Sequence, residues 1–440
     1  MTQSVSIKKR VLSGMRPTGR LHLGHYFGAL SNWVKLQNEY DCFFFVADWH
    51  ALTTHYEDTS SIAENTLQVA MDWLSVGLDP NKSTLFIQSS VLEHAELHVL
   101  LSMITPLSWL ERVPTYKEQI ENLKGRNLGT YGFLGYPLLQ SADIVMYGEP
   151  DQELLVPVGE DQAPHVELTR EVVRRFDSHY GFRVAEELFL QLSRNDLTAI
   201  WGEFFPRQLV QTAWEGDVDA ENKAHIRAEL RRVAGEIGMQ NFIERVDNNR
   251  KRYFQITEVL QEPAYIPTET PRLPGLDGRR MAKSYGNAIW LTDTPDEIRA
   301  KTRNMMTDPQ RVRRTDPGRP EICPVFAWHK LFSPPETVAG IDVECRSAAI
   351  GCVQCKGIMA DNLVRWSEPM QLKRKKWQAV PEEVWGILND GSIKAREVAE
   401  KTMDRVRNAI FGWKDAGRLS AKLPAPAERP RRAISLDDDL

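Results

Sequence analysis

The chain has 440 residues, 42% of them hydrophobic and 26% charged, with a formal net charge of -5. That length exceeds one ordinary domain and predicts two or three. No apolar run of about 18 residues exists to span a bilayer, and the amino-terminal stretch MTQSVSIKKRVLSGM lacks the apolar core of a secretory signal, so a cytoplasmic protein is expected; the slight acidity argues against wholesale coating of nucleic acid while leaving room for a local basic face.

In chain order, residues 11–15 (VLSGM) read as a short buried strand, followed by a turn at Arg16-Pro17-Thr18-Gly19. From Leu21 to Glu39 apolar residues recur at helical spacing. Residues 42–50 (CFFFVADWH) are an apolar run with a polar end, as expected of a parallel strand whose carboxyl end faces a site. A helix over 60–77 and a strand at 84–89 (TLFIQS) continue the alternation that predicts a doubly wound α/β domain. VPV at 156–158 reads as a strand end before a helix over His165–Phe176. The segment 178–262 is rich in charge and helix formers and reads as a mostly helical insertion. From Asp296 onward helical patterns dominate, interrupted by a cysteine-bearing stretch at 323–355, and the end is Pro-rich, then basic, then acidic, as in a disordered tail.

Three short motifs fall at the ends of these elements. HLGH (His22–His25) places two imidazoles about one turn apart at a helix start, where unpaired N–H groups attract phosphate. Gly24 leaves the backbone open to a flat base. GEDQ (Gly159–Gln162) follows a strand end, where an acidic pair can meet a ribose hydroxyl or an amino group. MAKS (Met281–Ser284) follows the turn-rich PGLDGRR, a loop expected to move, in which Lys283 offers a point charge to a leaving pyrophosphate and Arg280 can assist. Taken singly, these are a capped helix start, a helix N-cap and a solvated basic loop. Together and in this order they point to one nucleotide site.

On SGMRPTGRLHLGH, VADWHALT, PTYKEQI, YPLLQSADIVMY, VPVGEDQ and RRMAKSYGN, the chain resembles the bacterial tryptophanyl-tRNA synthetases, class I enzymes, over residues 9–176 and 263–415. The resemblance implies a Rossmann-like catalytic domain over 1–177 and 263–295, split by the insertion at 178–262. A helical anticodon-binding domain follows over 296–420, then a tail over 421–440. It implies activation of L-tryptophan by ATP with Mg2+, transfer to tRNA(Trp), and a homodimer. The implied catalytic residues are His22, His25, Lys283 and Lys117. Implied ATP contacts are Arg16, Pro17, Thr18, Gly24, His25, Gly159, Glu160, Asp161, Arg272, Arg280, Met281, Ala282, Lys283 and Ser284.

An indole needs a flat apolar slot and one acceptor for its N–H. Asp143, in the apolar run PLLQSADIVM, matches the family's acceptor, and a buried carboxylate calls for such a donor. Val156 and Val158 would wall the slot, with His50 and Gln162 holding the substrate's polar atoms, and the resemblance also implies contacts from Leu12, Tyr136 and Gln140. Two departures stand out. Position 140 is Gln where most bacterial members carry Met, as in the sister tyrosyl enzymes, yet the tyrosyl type's first-strand Tyr is here Leu12. RMAKS also replaces the usual KMSKS, losing one Lys and one Ser while keeping Lys283. A tyrosine-specific enzyme and a non-catalytic paralogue that binds tRNA or senses tryptophan are the alternatives.

Of five cysteines, Cys42 lies in an apolar strand and reads as core. Cys323, Cys345, Cys352 and Cys355, with one C-x-x-C, are a set able to bind zinc or a [4Fe–4S] cluster. Some bacterial tryptophanyl enzymes carry a very similar pattern holding the cluster, which favours iron–sulfur over Zn2+. The basic run QLKRKKW (Gln371–Trp377) reads either as tRNA phosphate contact or as a charged helix face.

Overall fold

A computed structural model describes residues 8–114, 116, 129–150, 152–159, 162–188, 220–246, 248, 251–267 and 273–412. Strands β1 (Arg10–Met15), β2 (Asp41–Val46), β3 (Ser83–Ile87), β4 (Leu154–Val158) and β7 (Ala264–Pro267) form one sheet in the order β3-β2-β1-β4-β7. Every neighbouring pair is parallel. A parallel sheet needs cover on both faces, and the strand sequences supply it: successive side chains alternate between two cores. Cys42, Phe44 and Val46 of β2 join one core with Val11, Trp33 and Trp73. Phe43 and Phe45 join the other with Leu12, Phe86 and Val156. The chain reverses its direction of sheet growth between β1 and β4. At such a switch point a crevice opens beyond the carboxyl ends of the strands.

Several local elements differ from the sequence-based expectation. The helix expected over 21–39 is α1 (Leu23–His25), a π turn at Tyr26–Leu30 and α2 (Ser31–Leu36); single π turns of this kind interrupt helices most often beside functional sites. The apolar run 42–50 leaves the sheet at Val46, and α3 (Asp48–His55) begins at once. The cause is Asp48, whose Oδ1 accepts the Trp49 and Ser89 N–H groups at 3.0 Å each and so turns the chain. Helix α4 (Ile62–Val76) ends at Gly77 as expected, and β3 gives way to a 3-10 turn at Gln88–Ser90. Then come α5 (Glu93–Ser102), α6 (Leu107–Glu111), α7 (Tyr131–Val145), and α8 (Ala163–Tyr180), which runs past the expected end at Phe176.

The insertion is not purely helical. Its α9 (Ala220–Ile237) and α10 (Met239–Arg245) pack with an antiparallel pair, β5 (Phe182–Val184) and β6 (Phe254–Ile256), around Phe182, Phe242 and Phe254. After β7 the described chain is mostly helical: α11 (Pro295–Arg303), α12 (Pro324–Phe332), α13 (Pro335–Arg346), α14 (Cys352–Gln378) and α15 (Pro381–Phe411). The cysteine stretch is therefore no interruption, since its cysteines mark helix ends. The expected tail, 421–440, lies outside the described residues.

The last two helices close back onto the sheet. Ser392 Oγ of α15 accepts the Ile87 N–H of the edge strand β3 at 3.3 Å. Beside it Gly391 sits so close to the Leu85 carbonyl that a Cβ would overlap it. The otherwise open edge of β3 is thus covered by a helix, one of the ways proteins blunt a pairing-competent edge.

Candidate active site

Two groups of side chains meet at the switch point. The first lines a cavity of about 400 Å³ that holds Leu12, Arg16, His50, Tyr136, Gln140, Asp143, Val156, Val158, Gly159 and Gln162. Every tryptophan contact expected from the sequence is in that lining. Leu12, Val156 and Asp143 are 1%, 5% and 1% exposed, so these walls are buried.

Asp143 is the polar end of this cavity. Its Oδ2 accepts from His50 Nε2 at 2.8 Å, its Oδ1 accepts from His94 Nδ1, and Gln88 Nε2 reaches both oxygens at 2.9 Å. His94 Nε2 is in turn hydrogen-bonded to Tyr147 Oη at 2.7 Å, extending the chain. Burial alone would raise this carboxyl's pKa, but the charge and hydrogen bond of His94 and the hydrogen bond of His50 hold it well below the usual carboxylate range. An ionised, oriented acceptor in an apolar slot is the result. Sequence reasoning passed over Gln88, His94 and Tyr147. Gln88 had a signal, as a polar residue at the carboxyl end of an apolar strand; His94 had none.

The second group is the expected phosphate site. His22 caps α1, and its backbone N–H donates to His25 Nδ1 at 3.1 Å. That bond makes Nδ1 of His25 the acceptor and leaves Nε2 to carry the proton outward. Burial lowers His25 to about 3 and His22 to about 4, with Lys283 adding to both shifts. Both rings are therefore neutral donors at pH 7. A Cβ on Gly24 would come within 2.8 Å of the His22 ring and 3.6 Å of Met281 Cβ, so the close approach permitted by this glycine is to the partner histidine and the loop.

The MAKS loop lies against this turn. Lys283 Nζ donates to the Thr18 carbonyl at 2.9 Å, and burial, opposed by Asp72, brings its pKa down to about 8. Leu23 N–H donates to the Ile289 carbonyl at 3.0 Å and Leu291 N–H to the Leu21 carbonyl at 2.9 Å, joining the two motifs through backbone. Asn287, 3% exposed, pins the loop: its Oδ1 accepts the Ala282 N–H at 2.9 Å and its Nδ2 donates to the Arg280 carbonyl at 3.0 Å. The backbone at Ala282 is thus held without the hydroxyl the sequence lacks. Arg280 and Ser284 are exposed, and Pro17 is buried between Arg16 and Thr18. Lys117, Glu160, Asp161 and Arg272 lie outside the described residues.

Residues 7–198 and 240–366 match the family model for class I tRNA synthetases (W and Y). A tryptophan–tRNA ligase of Ralstonia nicotianae is 47% identical over 91% of this chain and 98% of that protein. The chain belongs to the tryptophan–tRNA ligase family. An Aquifex aeolicus member of that family is 39% identical over 91% of this chain and 99% of its own. Among solved structures, tryptophanyl-tRNA synthetase from Campylobacter jejuni complexed with ADP and tryptophan superposes with a TM-score of 0.66 at 26% identity, covering 91% of this chain and 99% of that one.

The four cysteines of this family member come from three helix ends. Cys323 precedes α12, Cys345 is in the last turn of α13, and Cys352 and Cys355 open α14. Burial, then Cys323, Cys345 and Cys352, push the Cys355 thiol up to about 12, and burial with Cys323 and Cys352 also raises Cys345 against the pull of Arg311. Arg311 Nη1 donates to Cys345 Sγ at 3.6 Å. Among the described residues no group of three or more His, Cys, Asp or Glu side chains is gathered so as to hold a metal ion. The expectation of a metal centre thus finds neighbouring thiols, not a finished ligand cage. In the basic run, Arg374 is 4% exposed and turned inward, Gln371 Nε2 donates to the Asp293 carbonyl, and Lys373, Lys375 and Lys376 face solvent. No described helix is long and apolar enough to cross a membrane.

Proposed function

We propose that the chain is an active tryptophan–tRNA ligase. A carboxylate oxygen of L-tryptophan attacks the α-phosphorus of ATP, the bond to the bridging oxygen breaks, and tryptophanyl-adenylate forms with release of pyrophosphate. A terminal ribose hydroxyl of tRNA(Trp) then attacks the acyl carbon and expels AMP. The indole lies between Leu12, Val156 and Val158 with its N–H toward Asp143. Arg16, two residues before the carbonyl that holds Lys283, joins that slot to the triphosphate. The neutral His22 and His25 donate to phosphate oxygens as charge builds there, and Lys283 follows the departing pyrophosphate. Magnesium accompanies ATP as its counter-ion.

One observation carries this reading: a buried slot ending in a carboxylate held ionised by its hydrogen bonds stands beside a helix start covered by a lysine-bearing loop. Tryptophan-dependent ATP–pyrophosphate exchange tests it. Exchange with tryptophan and at most a trace with tyrosine is the expected result. No exchange from folded protein favours the paralogue that only binds, and comparable exchange with tyrosine favours the tyrosyl reading raised by Gln140.

We also assign a [4Fe–4S] cluster to Cys323, Cys345, Cys352 and Cys355, ahead of zinc. Three cysteines at helix N-termini, where the dipole favours thiolate, and the Arg311 guanidinium beside Cys345 support it. When bound, the cluster would tie α12, α13 and α14 together; its role is structural, beside a helical region that contacts tRNA through exposed lysines. A cytoplasmic homodimer completes the reading. Leu92, Val99 and Met103, seven and four residues apart on and at the ends of α5, are exposed, as are Leu107 and Tyr131, apolar surface suited to a second copy.

A further inference from the structure

Asp72 lies on α4 and Arg374 on α14, and they are 1% and 4% exposed. Arg374 Nη1 donates to Asp72 Oδ1 and Nη2 donates to Gln68 Oε1, while Arg374 Nε is buried with no hydrogen-bond partner. The second oxygen of Asp72 accepts the Leu21 N–H at 3.4 Å. Leu21 immediately precedes His22, and its own carbonyl takes the Leu291 N–H that returns from the MAKS loop. One carboxylate therefore touches the C-terminal helical region and the entry to HLGH, one backbone bond away from the stretch behind MAKS.

Stability does not account for this arrangement. Two charges taken out of water recover their desolvation only with complete hydrogen bonding, and this pair leaves a guanidinium N–H unpaired. Apolar residues of similar volume commonly replace such pairs without loss. Burial lifts Asp72 to about 6, against Arg374, the Leu21 hydrogen bond, Lys283 and Arg20, so it remains mostly ionised at neutral pH.

We propose that Asp72 and Arg374 are a positioning pair, through which the C-terminal helices fix the turn entering HLGH and hence the ATP-binding geometry of His22, His25 and Lys283. The inference rests on the ligase reading above. Its test uses the full-length chain and two double variants, Asp72→Leu/Arg374→Met and Asp72→Asn/Arg374→Gln, in exchange assays and thermal melts. The apolar pair keeps the melting temperature and the KM for tryptophan, while the KM for ATP rises about tenfold, a little over one kcal/mol of binding. The neutral polar pair keeps an acceptor for Leu21 and returns the KM for ATP to within about threefold of the parent. A wild-type KM for ATP in the apolar variant overturns the proposal. So does a uniform loss of every kinetic parameter in step with the melting temperature, or failure of the polar pair to recover ATP binding. Absence of exchange in the unmodified chain is a different result and removes the ligase reading itself.

Discussion

Asp143→Asn is the sharpest perturbation of the proposed amino-acid slot. The carboxylate accepts from three buried donors, His50, Gln88 and His94, and hydrogen bonds to an ionised group contribute about 1.5–3 kcal/mol each. Asparagine keeps one acceptor oxygen and turns an NH2 toward donors. At least one of those bonds is lost and one donor meets another donor. A net loss of about 3–4 kcal/mol at the slot follows, which is roughly 100- to 1000-fold in kcat/KM for tryptophan. The KM for ATP changes little, because His22, His25 and Lys283 bond to other groups. The assay is tryptophan-dependent exchange with each substrate varied in turn, beside a melting curve to confirm folding. A folded variant within about threefold of the parent in kcat/KM for tryptophan, or one that loses ATP instead, refutes the reasoning.

Lys283 has a pKa brought down to about 8 by burial, and the triphosphate needs its charge. The KM for ATP should therefore rise as pH increases through 8, and Lys283→Arg, whose cation does not titrate there, should abolish that rise. Because His22 and His25 stay neutral above about 4 and 3, neither contributes an inflection between pH 5 and 7. Gly391→Ala sets helix propensity, a gain of about 1 kcal/mol, against overlap with the Leu85 carbonyl; the overlap wins, and the melting temperature falls. Anaerobically purified protein should carry about four irons per chain with broad absorbance, and Cys355→Ser should lower the iron content; stoichiometric zinc instead would remove the cluster assignment.

The slot was readable in advance because its residues sit on regular elements near their motifs. Val156 and Val158 share one face of a strand, and Gln140 and Asp143 lie one turn apart on α7; spacing puts each pair on one face, and the resemblance to the family is what joined the two pairs in one slot. HLGH and MAKS were readable as a pair only by their order, and the backbone bonds between Leu21–Leu23 and Ile289–Leu291 left no trace in either sequence. The partners of Asp143 illustrate the limit. His94 comes from the start of another helix, and nothing in EHAELHVLL marks which of its polar residues will be buried against α7. Arg374 shows the same limit: it lies in a run that reads either as tRNA phosphate contact or as a charged helix face, and only the packing of α14 on α4 turns it inward. The expected helix over 21–39 failed at the π turn, and the strand over 42–50 failed at Asp48, where side-chain hydrogen bonds to Ser89 outweigh the apolar pattern.

A crystal structure of the chain with tryptophan and a non-hydrolysable ATP analogue tests the central claim most directly. The account predicts the indole between Leu12, Val156 and Val158 with its nitrogen at hydrogen-bond distance from Asp143, and phosphate oxygens within reach of His25 Nε2 and Lys283 Nζ. An amino acid bound elsewhere, or a triphosphate that leaves both HLGH and Lys283 untouched, contradicts it.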